Sequence, residues 1–269
     1  MQRTFVIADT HGEYDQLLVV MNQLQKLANL DLTKDWLVSL GDKIDRGRQS
    51  YEVVEYWRQL ELQHPETVYC VNGNHEAMAI DAAQDMADMP LYCMNGGIRT
   101  IESYSKKTGF YGKRSFGNSL AVTGHAAFLK RHLPYLETDH YFFSHAPVPK
   151  VGWAGRRADR DFRQQQNLLI WAYAPVSEEQ WVDPDPANGR ICVYGHVHGL
   201  KEIQTTGPWG RADSEVYVPG VRRYGNAILL DTGCGCAREG YLSCLELPAM
   251  KVYDSLARTF QLEKQHDSR

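Results

Sequence analysis

Long apolar runs, an excess of basic residues and abundant cysteine are all missing from this chain of 269 residues. No stretch approaches the roughly 18 consecutive apolar residues of a membrane span. The first residues lack the basic, apolar and small-residue order of a secretory signal. Six cysteines are few for this length, which predicts reduced thiols and a cytoplasmic protein with no membrane partner. Cys234 and Cys236 are interpreted as small buried residues in a turn.

The balance of charge excludes a global attraction to polyanions. Twenty-nine Lys and Arg against 33 Asp and Glu give a net charge of −4, so nucleic acid is not expected as the main partner. A hydrophobic content of 43% and a charged content of 23% are typical of a folded globular protein. Any bound anion must therefore be met by local groups. The sequence carries no signal for an oligomeric state.

The first third alternates short apolar runs with helical periodicity, as in an open sheet with helices on its faces. Strands are predicted at Thr4–Ala8, Trp36–Leu40 and Thr67–Val71, and helices at Glu13–Asn29 and Tyr51–Leu62. A polar, glycine-containing turn follows each strand. Because ligands collect at the carboxyl ends of the strands in such sheets, we expect the three turns to meet at one site.

The remainder predicts a second sheet packed on the first. The strand pattern resumes at His140–Ser144, Ile191–Tyr194, Ala227–Asp231 and Tyr241–Leu245. The fold class is therefore an α/β (α+β) sandwich of two mixed β-sheets flanked by helices, with a helical cap region. We interpret 1–269 as one domain, with a cap-like insertion at about 77–138, which begins with a helix at Ala77–Met89. Loop insertions are predicted at about 152–188, which has four arginines and could act as a lid, and at 204–225.

Carboxylates and imidazoles recur at the predicted strand ends. This candidate set comprises Asp9, His11, Asp42, Asn74, His75, His145, His196 and His198. Oxygen ligands mixed with imidazoles suit manganese, iron or zinc. Eight groups exceed the needs of one metal ion, whereas a carboxylate such as Asp42 can bridge two cations. Two such cations clamp the attacking and leaving oxygens of a phosphoryl displacement.

Three ordered motifs carry a family resemblance. Asp9-Thr10-His11-Gly12 is followed by Gly41-Asp42-Lys43-Ile44-Asp45-Arg46-Gly47 and by Gly73-Asn74-His75-Glu76. With His145 and Gly195-His196 further on, the sequence resembles the calcineurin-like metallophosphoesterases. Within them it resembles the phosphoprotein phosphatase branch, and the bacteriophage-lambda-type bacterial serine/threonine phosphatases most of all. The likeness runs from residue 4 to about 246 and includes Asn95-Gly96-Gly97 and Asp231-Thr232-Gly233.

The resemblance implies two divalent metal ions, with manganese expected and iron or zinc as alternatives. The implied ligands of the first ion are Asp9, His11 and Asp42, and those of the second are Asp42, Asn74, His145 and His196. A water shared by the two ions would become the attacking hydroxide. His75 would then protonate the leaving group, Asp45 would orient its imidazole, and Arg46 would bind phosphate oxygens. Glu76 is interpreted as a helix-start residue or a hydrogen-bond partner of the site.

Three positions depart from the phosphatase branch. Asn72 stands where those enzymes have an arginine before Gly-Asn-His-Glu, and Ala172 follows Trp171 where a second arginine is usual. Both changes remove a phosphate clamp, which favours a less charged substrate. Asn72 itself and Arg99 are candidate substrate contacts, as are the loop arginines Arg156, Arg157 and Arg163. His198, in the Gly-His-Val-His run, matches the wider superfamily and is expected to bind the first metal.

Several functions remain open at this point. The leading hypothesis is a phosphomonoesterase that acts on phosphorylated proteins. A hydrolase of dinucleoside polyphosphates, similar to the symmetrical diadenosine tetraphosphatases, lacks the same arginine but normally has Asp where this chain has Glu76. A phosphodiesterase is a third possibility. A catalytically silent metal-binding module is disfavoured because every expected ligand and His75 are present.

Overall fold

The computed structural model describes residues 2–147, 162–172, 189–198, 200–205, 212–218, 220–236 and 238–263. Its helices are α1 (Tyr14–Leu27), α2 (Ser50–Gln63), α3 (Asn74–Gln84), α4 (Met89–Tyr92), α5 (Ile98–Thr108), α6 (Phe116–Val122), α7 (His125–Lys130) and α8 (Phe162–Trp171). Its strands are β1 (Thr4–Ile7), β2 (Trp36–Ser39), β3 (Val68–Cys70), β4 (Tyr135–Glu137), β5 (Tyr141–Ser144), β6 (Ile191–Tyr194), β7 (Leu200–Thr205), β8 (Ala212–Val218), β9 (Arg222–Tyr224), β10 (Ala227–Leu229), β11 (Ser243–Leu247), β12 (Lys251–Asp254) and β13 (Thr259–Gln261).

Two mixed sheets form the predicted sandwich. The first has the order β13-β12-β11-β1-β2-β3, and the second has the order β4-β5-β6-β10-β9. Strands β1, β2 and β3 run parallel, as do β5, β6 and β10. The carboxyl ends of these two parallel sets carry the residues predicted to converge.

Alternation along each strand builds three apolar layers. Phe5 and Ile7 face the helices, whereas Val6 and Ala8 face the second sheet. Phe143 packs between the sheets, and Phe142 belongs to the outer layer that also contains Leu169 of α8. This period of two is what a strand buried on both faces requires.

The segment predicted as a cap is helical, and it is continuous with the main core. Tyr92, Tyr104 and Phe116 lie in the same buried cluster as Leu17 of α1 and Trp57 of α2. A π-helical turn, Cys93–Gly97, connects α4 to α5 and includes Gly96 with a φ of 102°. The predicted turn at Asn95-Gly96-Gly97 is therefore a kink between two helices.

The structure corrects several predicted element boundaries. The Tyr241–Leu245 strand was assigned to the second sheet, but β11 lies in the first, where Phe5 pairs antiparallel with Glu246. Helix α3 begins at Asn74 rather than Ala77 and ends at Gln84, and the predicted last residue, Met89, instead begins the next short helix, which has Pro90 in its first turn. The prediction of a loop at 204–225 is wrong, because β8 pairs with β7 in an antiparallel hairpin and β9 pairs with β10.

The other loop insertion is partly helical, since α8 occupies Phe162–Trp171. Arg156, Arg157 and Arg160 lie outside the described residues, as does the side chain of Arg163, so the lid stays a prediction. The six cysteines are free thiols. In the part of the chain that the structure describes, no helix is both long and apolar enough to cross a bilayer.

Glu55 connects α2 to α7 through a buried imidazole. Its carboxylate accepts hydrogen bonds from Arg58 Nε and Nη2 at 2.8 Å and from Gln59 Nε2 at 2.7 Å, and its Oε2 lies 2.8 Å from His125 Nε2. The hydrogen bond from Arg58 is the largest influence that lowers the pKa of Glu55, from an ordinary value of 4.5 to about 2. The ionised carboxylate is therefore the form that stabilises the fold.

We expect Glu55→Gln to lower the free energy of unfolding by about 1–2 kcal/mol at neutral pH. Because the folded-state pKa lies below the ordinary value, this difference from wild type disappears as the pH falls from about 4.5 toward 2. Denaturant unfolding across that pH range measures it. Glu102→Gln is the matched control, since Glu102 also pairs with an arginine three residues away but is 51% exposed. An equal loss of stability in both variants, or a loss independent of pH, would contradict this account.

Candidate active site

Asp42 stands at the centre of the side chains that converge between the two sheets. It follows β2, and its carboxylate is 2% exposed. Its Oδ2 lies 3.6 Å from His11 Nε2, 3.8 Å from His75 Nε2 and 3.4 Å from His145 Nε2. Burial alone would raise the pKa of Asp42, but the imidazoles of His145 and His75 hold the pKa well below its ordinary range. The carboxylate therefore stays ionised and shared between two groups of ligands.

The two groups are His11, Asp42 and His75 on one side and Asp42, His145 and His196 on the other. Within each group, one donor atom per residue lies within 4.8 Å of the others. The predicted meeting of the strand ends is therefore realised. Asn74, at the start of α3, joins the second group through its Oδ1, which lies 2.8 Å from His145 Nε2.

Backbone carbonyls orient two of the imidazoles. His11 Nδ1 lies 2.9 Å from the carbonyl of Ile44, and His145 Nδ1 lies 2.9 Å from the carbonyl of Leu40. Because a carbonyl can only accept, Nδ1 carries the proton in both rings, which leaves Nε2 as the nitrogen that can bind a metal ion. Both Nε2 atoms face Asp42, which is the arrangement that a metal-binding histidine needs.

Glu76 and the glycine before Asn74 hold the Asp42 loop in place. The Glu76 carboxylate accepts from the backbone N–H groups of Asp42 at 2.8 Å, Lys43 at 2.6 Å and Gly73 at 2.9 Å. A Cβ on Gly73 would collide with Asp42 Oδ1. The interpretation of Glu76 as a hydrogen-bond partner of the site agrees with these contacts, and the glycine is explained by close approach rather than by a turn.

Asp9 and Asp231 bring further buried negative charge to the first group. Asp9 Oδ2 accepts from the backbone of His196 at 3.0 Å, whereas Asp9 Oδ1 and Asp231 Oδ2 have no hydrogen-bond partner among the described residues. Burial and the nearby carboxylates of Asp231 and Asp42 raise the pKa of Asp9 well above its ordinary range. Such mutual repulsion is relieved when a cation binds between the carboxylates. The donor set therefore fits divalent metal ions.

His198 lies beside Asp231 rather than beside Asp42. Its Nδ1 is 3.7 Å from Asp231 Oδ2, and its side chain is 29% exposed. The structure therefore places His198 at the edge of the cluster, next to the unpaired carboxylate oxygen. Its role as a ligand stays a prediction. Asp231 was noticed in the sequence only as part of Asp231-Thr232-Gly233, and no spacing rule marked it as a charge of the site.

Asp45 orients the His75 ring through Nδ1, the ring nitrogen that does not face Asp42. Its Nδ1 lies 2.7 Å from Asp45 Oδ2. Burial alone would lower the pKa of His75, but Asp42 and the hydrogen bond to Asp45 raise it above its ordinary value. The charged imidazolium is therefore accessible near neutral pH.

Two residues missed in the sequence analysis orient Asp45. Its Oδ1 accepts from Tyr92 Oη at 2.7 Å and from Thr100 Oγ1 at 2.6 Å. Both donors come from the helical segment 77–138, so this segment supports the site directly. No motif spacing could have found them, because they are 47 and 55 residues from Asp45 in sequence.

Arg46 reaches across the cluster with its guanidinium. Nη2 lies 3.1 Å from His75 Nε2, and Nη1 lies 2.7 Å from His11 Nε2. Nη1 also contacts Cys236 Sγ. The interpretation of Cys236 as an ordinary turn residue is therefore incomplete, since its thiol touches the residue predicted to bind phosphate.

The other two predicted substrate contacts lie differently. Arg99 pairs with Glu102 on the surface of α5, with Nη1 3.0 Å from Oε2. Asn72 donates its backbone N–H to the carbonyl of Leu133 at 2.9 Å, and its Oδ1 is buried without a partner among the described residues. The structure joins neither side chain to the Asp42 cluster by a described hydrogen bond.

Much of the site is built on strained backbone. Asp9, His11, Asp42, Asp45, Arg46 and His196 all have positive φ angles, between 40° and 73°. Each such backbone conformation costs of order 1–3 kcal/mol. Residues with this strain are common at active sites, where the surrounding structure holds them in place.

Comparison with known proteins agrees with this geometry. The family model described as calcineurin-like phosphoesterase matches residues 2–200. The chain belongs to this family. Serine/threonine-protein phosphatase 2 of Salmonella typhimurium is 33% identical over 238 residues, which cover 87% of this chain and 88% of the relative. Serine/threonine-protein phosphatase 1 of the same organism is 33% identical over 36% of this chain and 39% of its own length. The family and the phosphoprotein phosphatase branch are thus confirmed.

Solved structures confirm the sandwich fold. A cold-active protein tyrosine phosphatase superposes with a TM-score of 0.61 at 14% identity, over 98% of this chain and 79% of that one. A protein serine/threonine phosphatase from Saccharomyces cerevisiae gives 0.57 at 15% identity, over 99% and 82%. A protein provisionally assigned as a diadenosine tetraphosphatase gives 0.54 at 18% identity, over 94% and 92%. The chain is a metallophosphoesterase in family and in fold.

We expect Gly195→Ala to lower the divalent metal bound per chain, because its Cβ would collide with Asp9 Oδ1 and displace that carboxylate. Elemental analysis after reconstitution with manganese measures this. Gly220→Ala is the control, since its Cβ would meet only the Arg222 guanidinium at 4.0 Å. If Gly195→Ala keeps the full metal content, Asp9 is not a ligand in this position.

Proposed function

We propose that the chain is a dimetal-dependent phosphomonoesterase whose substrates are phosphorylated proteins. The observation that carries the proposal is the meeting of an imidazole, a guanidinium and a shared carboxylate. His75 Nε2 lies 3.1 Å from Arg46 Nη2 and 3.8 Å from Asp42 Oδ2. A general acid, an anion-binding group and a bridging metal ligand at one point are what phosphoester hydrolysis needs. The name of the Salmonella relative, a serine/threonine-protein phosphatase, supports phosphoproteins as the proposed substrates.

Two divalent cations would be held by residues from both sheets. The proposed ligands of the first are Asp9, His11, Asp42 and His198, and those of the second are Asp42, Asn74, His145 and His196. This mixture of oxygen and imidazole donors suits manganese, iron and zinc alike. Manganese is the ion we propose, with iron and zinc as alternatives. Bound cations supply Lewis acidity toward the phosphoryl oxygens and activate water for attack.

His75 is proposed as the acid that protonates the leaving oxygen. Its Nε2 faces the cluster, while Asp45 accepts from Nδ1 and stabilises the charged ring. Tyr92 and Thr100 keep the Asp45 carboxylate in this orientation. When a phosphate oxygen replaces His75 as the partner of Arg46 Nη2, His75 Nε2 can carry the proton for the leaving group.

Arg46 is proposed to bind the phosphate. A planar guanidinium offers parallel N–H donors to two phosphate oxygens. Two of its donors now lie next to imidazole nitrogens of His11 and His75. Because these are weak partners for a cation, an incoming phosphate would replace them with charge-assisted hydrogen bonds.

Hydrolysis of dinucleoside polyphosphates is a second candidate, and one observation favours it. Asn72 replaces a clamp arginine, and Arg99, one of the proposed substitutes, pairs with Glu102 on the surface of α5. Arg46 is the one guanidinium that the described residues bring to the Asp42 cluster, and a single guanidinium suits a less charged phosphate than a phosphomonoester dianion. Asn72 and Arg99 remain proposed substrate contacts in either case.

The first experiment compares three substrates with manganese-reconstituted protein: a chromogenic phosphomonoester, its diester and diadenosine tetraphosphate. We expect chelator-sensitive preference for the monoester, followed by turnover of phosphoserine or phosphothreonine peptides. Preference for the diester or the dinucleotide would assign the enzyme to the second candidate class. Bound metal without turnover of any of the three would contradict the phosphomonoesterase proposal.

We expect His75→Asn to lower kcat about 10²–10⁴-fold on a phosphoserine peptide while metal content stays at the wild-type level. The loss on p-nitrophenyl phosphate should be much smaller, because that leaving group departs without a proton. The ratio of the two losses separates an acid from a merely structural residue. Equal losses on both substrates, or loss of metal, would show that His75 acts otherwise.

A further inference from the structure

A second group of potential metal ligands lies outside the Asp42 cluster. Glu61 on α2, Cys70 at the end of β3 and His132 after α7 each place a donor atom within 4.8 Å of the others. A carboxylate, a thiol and an imidazole are a zinc-type donor set. We propose that these three residues form a zinc site, independent of the catalytic metals and of the proposed reaction.

The spacing of the donors fits a tetrahedral metal ion better than a hydrogen bond. His132 Nε2 lies 3.4 Å from Glu61 Oε2, which is beyond the ordinary range for an N–H donor and an oxygen acceptor. Two ligand atoms at roughly 2.0–2.2 Å from a tetrahedral zinc ion are about 3.4 Å apart. The two side chains are therefore already separated as ligands of one ion.

The burial of His132 is the second observation. Its side chain is 3% exposed, and its Nδ1 has no hydrogen-bond partner among the described residues. The ring therefore has one nitrogen without a partner and one with only the long 3.4 Å contact to Glu61, an arrangement that costs free energy when buried. Burial also lowers the pKa of His132. The ring is thus neutral and keeps a lone pair for a metal.

Cys70 is a protonated thiol before metal binds. Burial raises the pKa of Cys70 to about 12. Zinc binding would form a Zn–S bond and release the thiol proton to solvent, so that the thiolate replaces a neutral group. With three protein ligands, the fourth position of the ion would be filled by water. Glu61, whose side chain is 20% exposed, provides the route of entry.

Two positively charged side chains, Arg131 and Lys43, lie near the proposed ligands and would repel a bound zinc ion. Arg131 Nη2 contacts Glu61 Oε2, the same oxygen that faces His132. The Arg131 side chain is 49% exposed, so it can turn to solvent when zinc takes its place. The buried Lys43 ammonium donates to the Val71 carbonyl at 3.0 Å and stays in position. Removal of Arg131 should therefore strengthen zinc binding without touching a ligand.

The location gives the site a structural consequence. Its ligands join α2, β3 and the segment after α7, and Asn72, two residues beyond Cys70, donates its N–H to the carbonyl of Leu133. A metal at Cys70 would therefore fasten the segment after α7 to the strand that leads to Gly73 and Asn74. Zinc should raise the melting temperature by linkage.

Cobalt titration of the metal-free full chain tests the site, because a cobalt–thiolate bond gives a near-ultraviolet charge-transfer band that nitrogen and oxygen ligands do not. We expect the band in wild type and in Cys236→Ser, whose thiol adjoins the catalytic cluster, and its loss in Cys70→Ser. Retention of the band in Cys70→Ser, or its absence from wild type, would overturn the proposal.

Arg131→Gln provides a test that does not depend on a disruptive core change. We expect it to tighten cobalt and zinc binding at this site several-fold, whereas Arg114→Gln, a change at an exposed arginine outside the cluster, leaves the affinity unchanged. Elemental analysis should count one zinc more per chain in wild type than in Cys70→Ser. Unchanged affinity in Arg131→Gln, or equal zinc counts, would contradict the assignment. Activity on the chromogenic phosphomonoester is measured separately and bears only on the proposed function.

Discussion

The buried negative charge at Asp42 is the constraint on which the rest of the structure depends. A carboxylate that is 2% exposed is unfavourable unless positive or polar groups surround it. Imidazoles that follow three separate strands lie close to this carboxylate, and Glu76 accepts hydrogen bonds from the backbone of the Asp42 loop. Asp9 and Asp231 add two more buried carboxyl groups, whose mutual repulsion a bound cation would relieve. These donors are therefore a set that fits divalent metal ions.

This concentration of charge is combined with strained backbone, and the apolar layers make both tolerable. Val6 and Ala8 bury one face of β1 against the second sheet, while Phe5 and Ile7 bury the other under the helices. At about 25 cal/mol per Å² of buried apolar surface, such doubly covered strands are strongly stabilised. Rigid strands can therefore end in the left-handed conformations of Asp9 and His11 without fraying.

Much of the Asp42 cluster was predictable, because its residues lie in short motifs at the ends of periodic strands. Asp9, His11, Asp42, Asn74 and His145 follow from that rule, and the structure brings them together. Tyr92, Thr100 and Cys236 do not, since they reach the site across the fold and carry no local spacing signal. The assignment of β11 to the wrong sheet has the same origin: a strand pattern gives the faces of a strand but not its neighbours. Likewise, β7 and β8 form a hairpin by pairing with each other, whereas the sequence of the 204–225 segment by itself has no clear strand pattern.

The position of β11 has a consequence for how the protein is made. Every residue proposed for catalysis precedes Ser243, yet β1, the strand that carries Asp9 and His11, has Ser243–Leu247 as one of its two neighbours. A chain still on the ribosome with β11 not yet emerged would contain every proposed ligand and leave one edge of β1 unpaired. A chain that ends before Ser243 therefore keeps the motifs and the β1–β2–β3 pairing but lacks the strand that pairs with the other edge of β1.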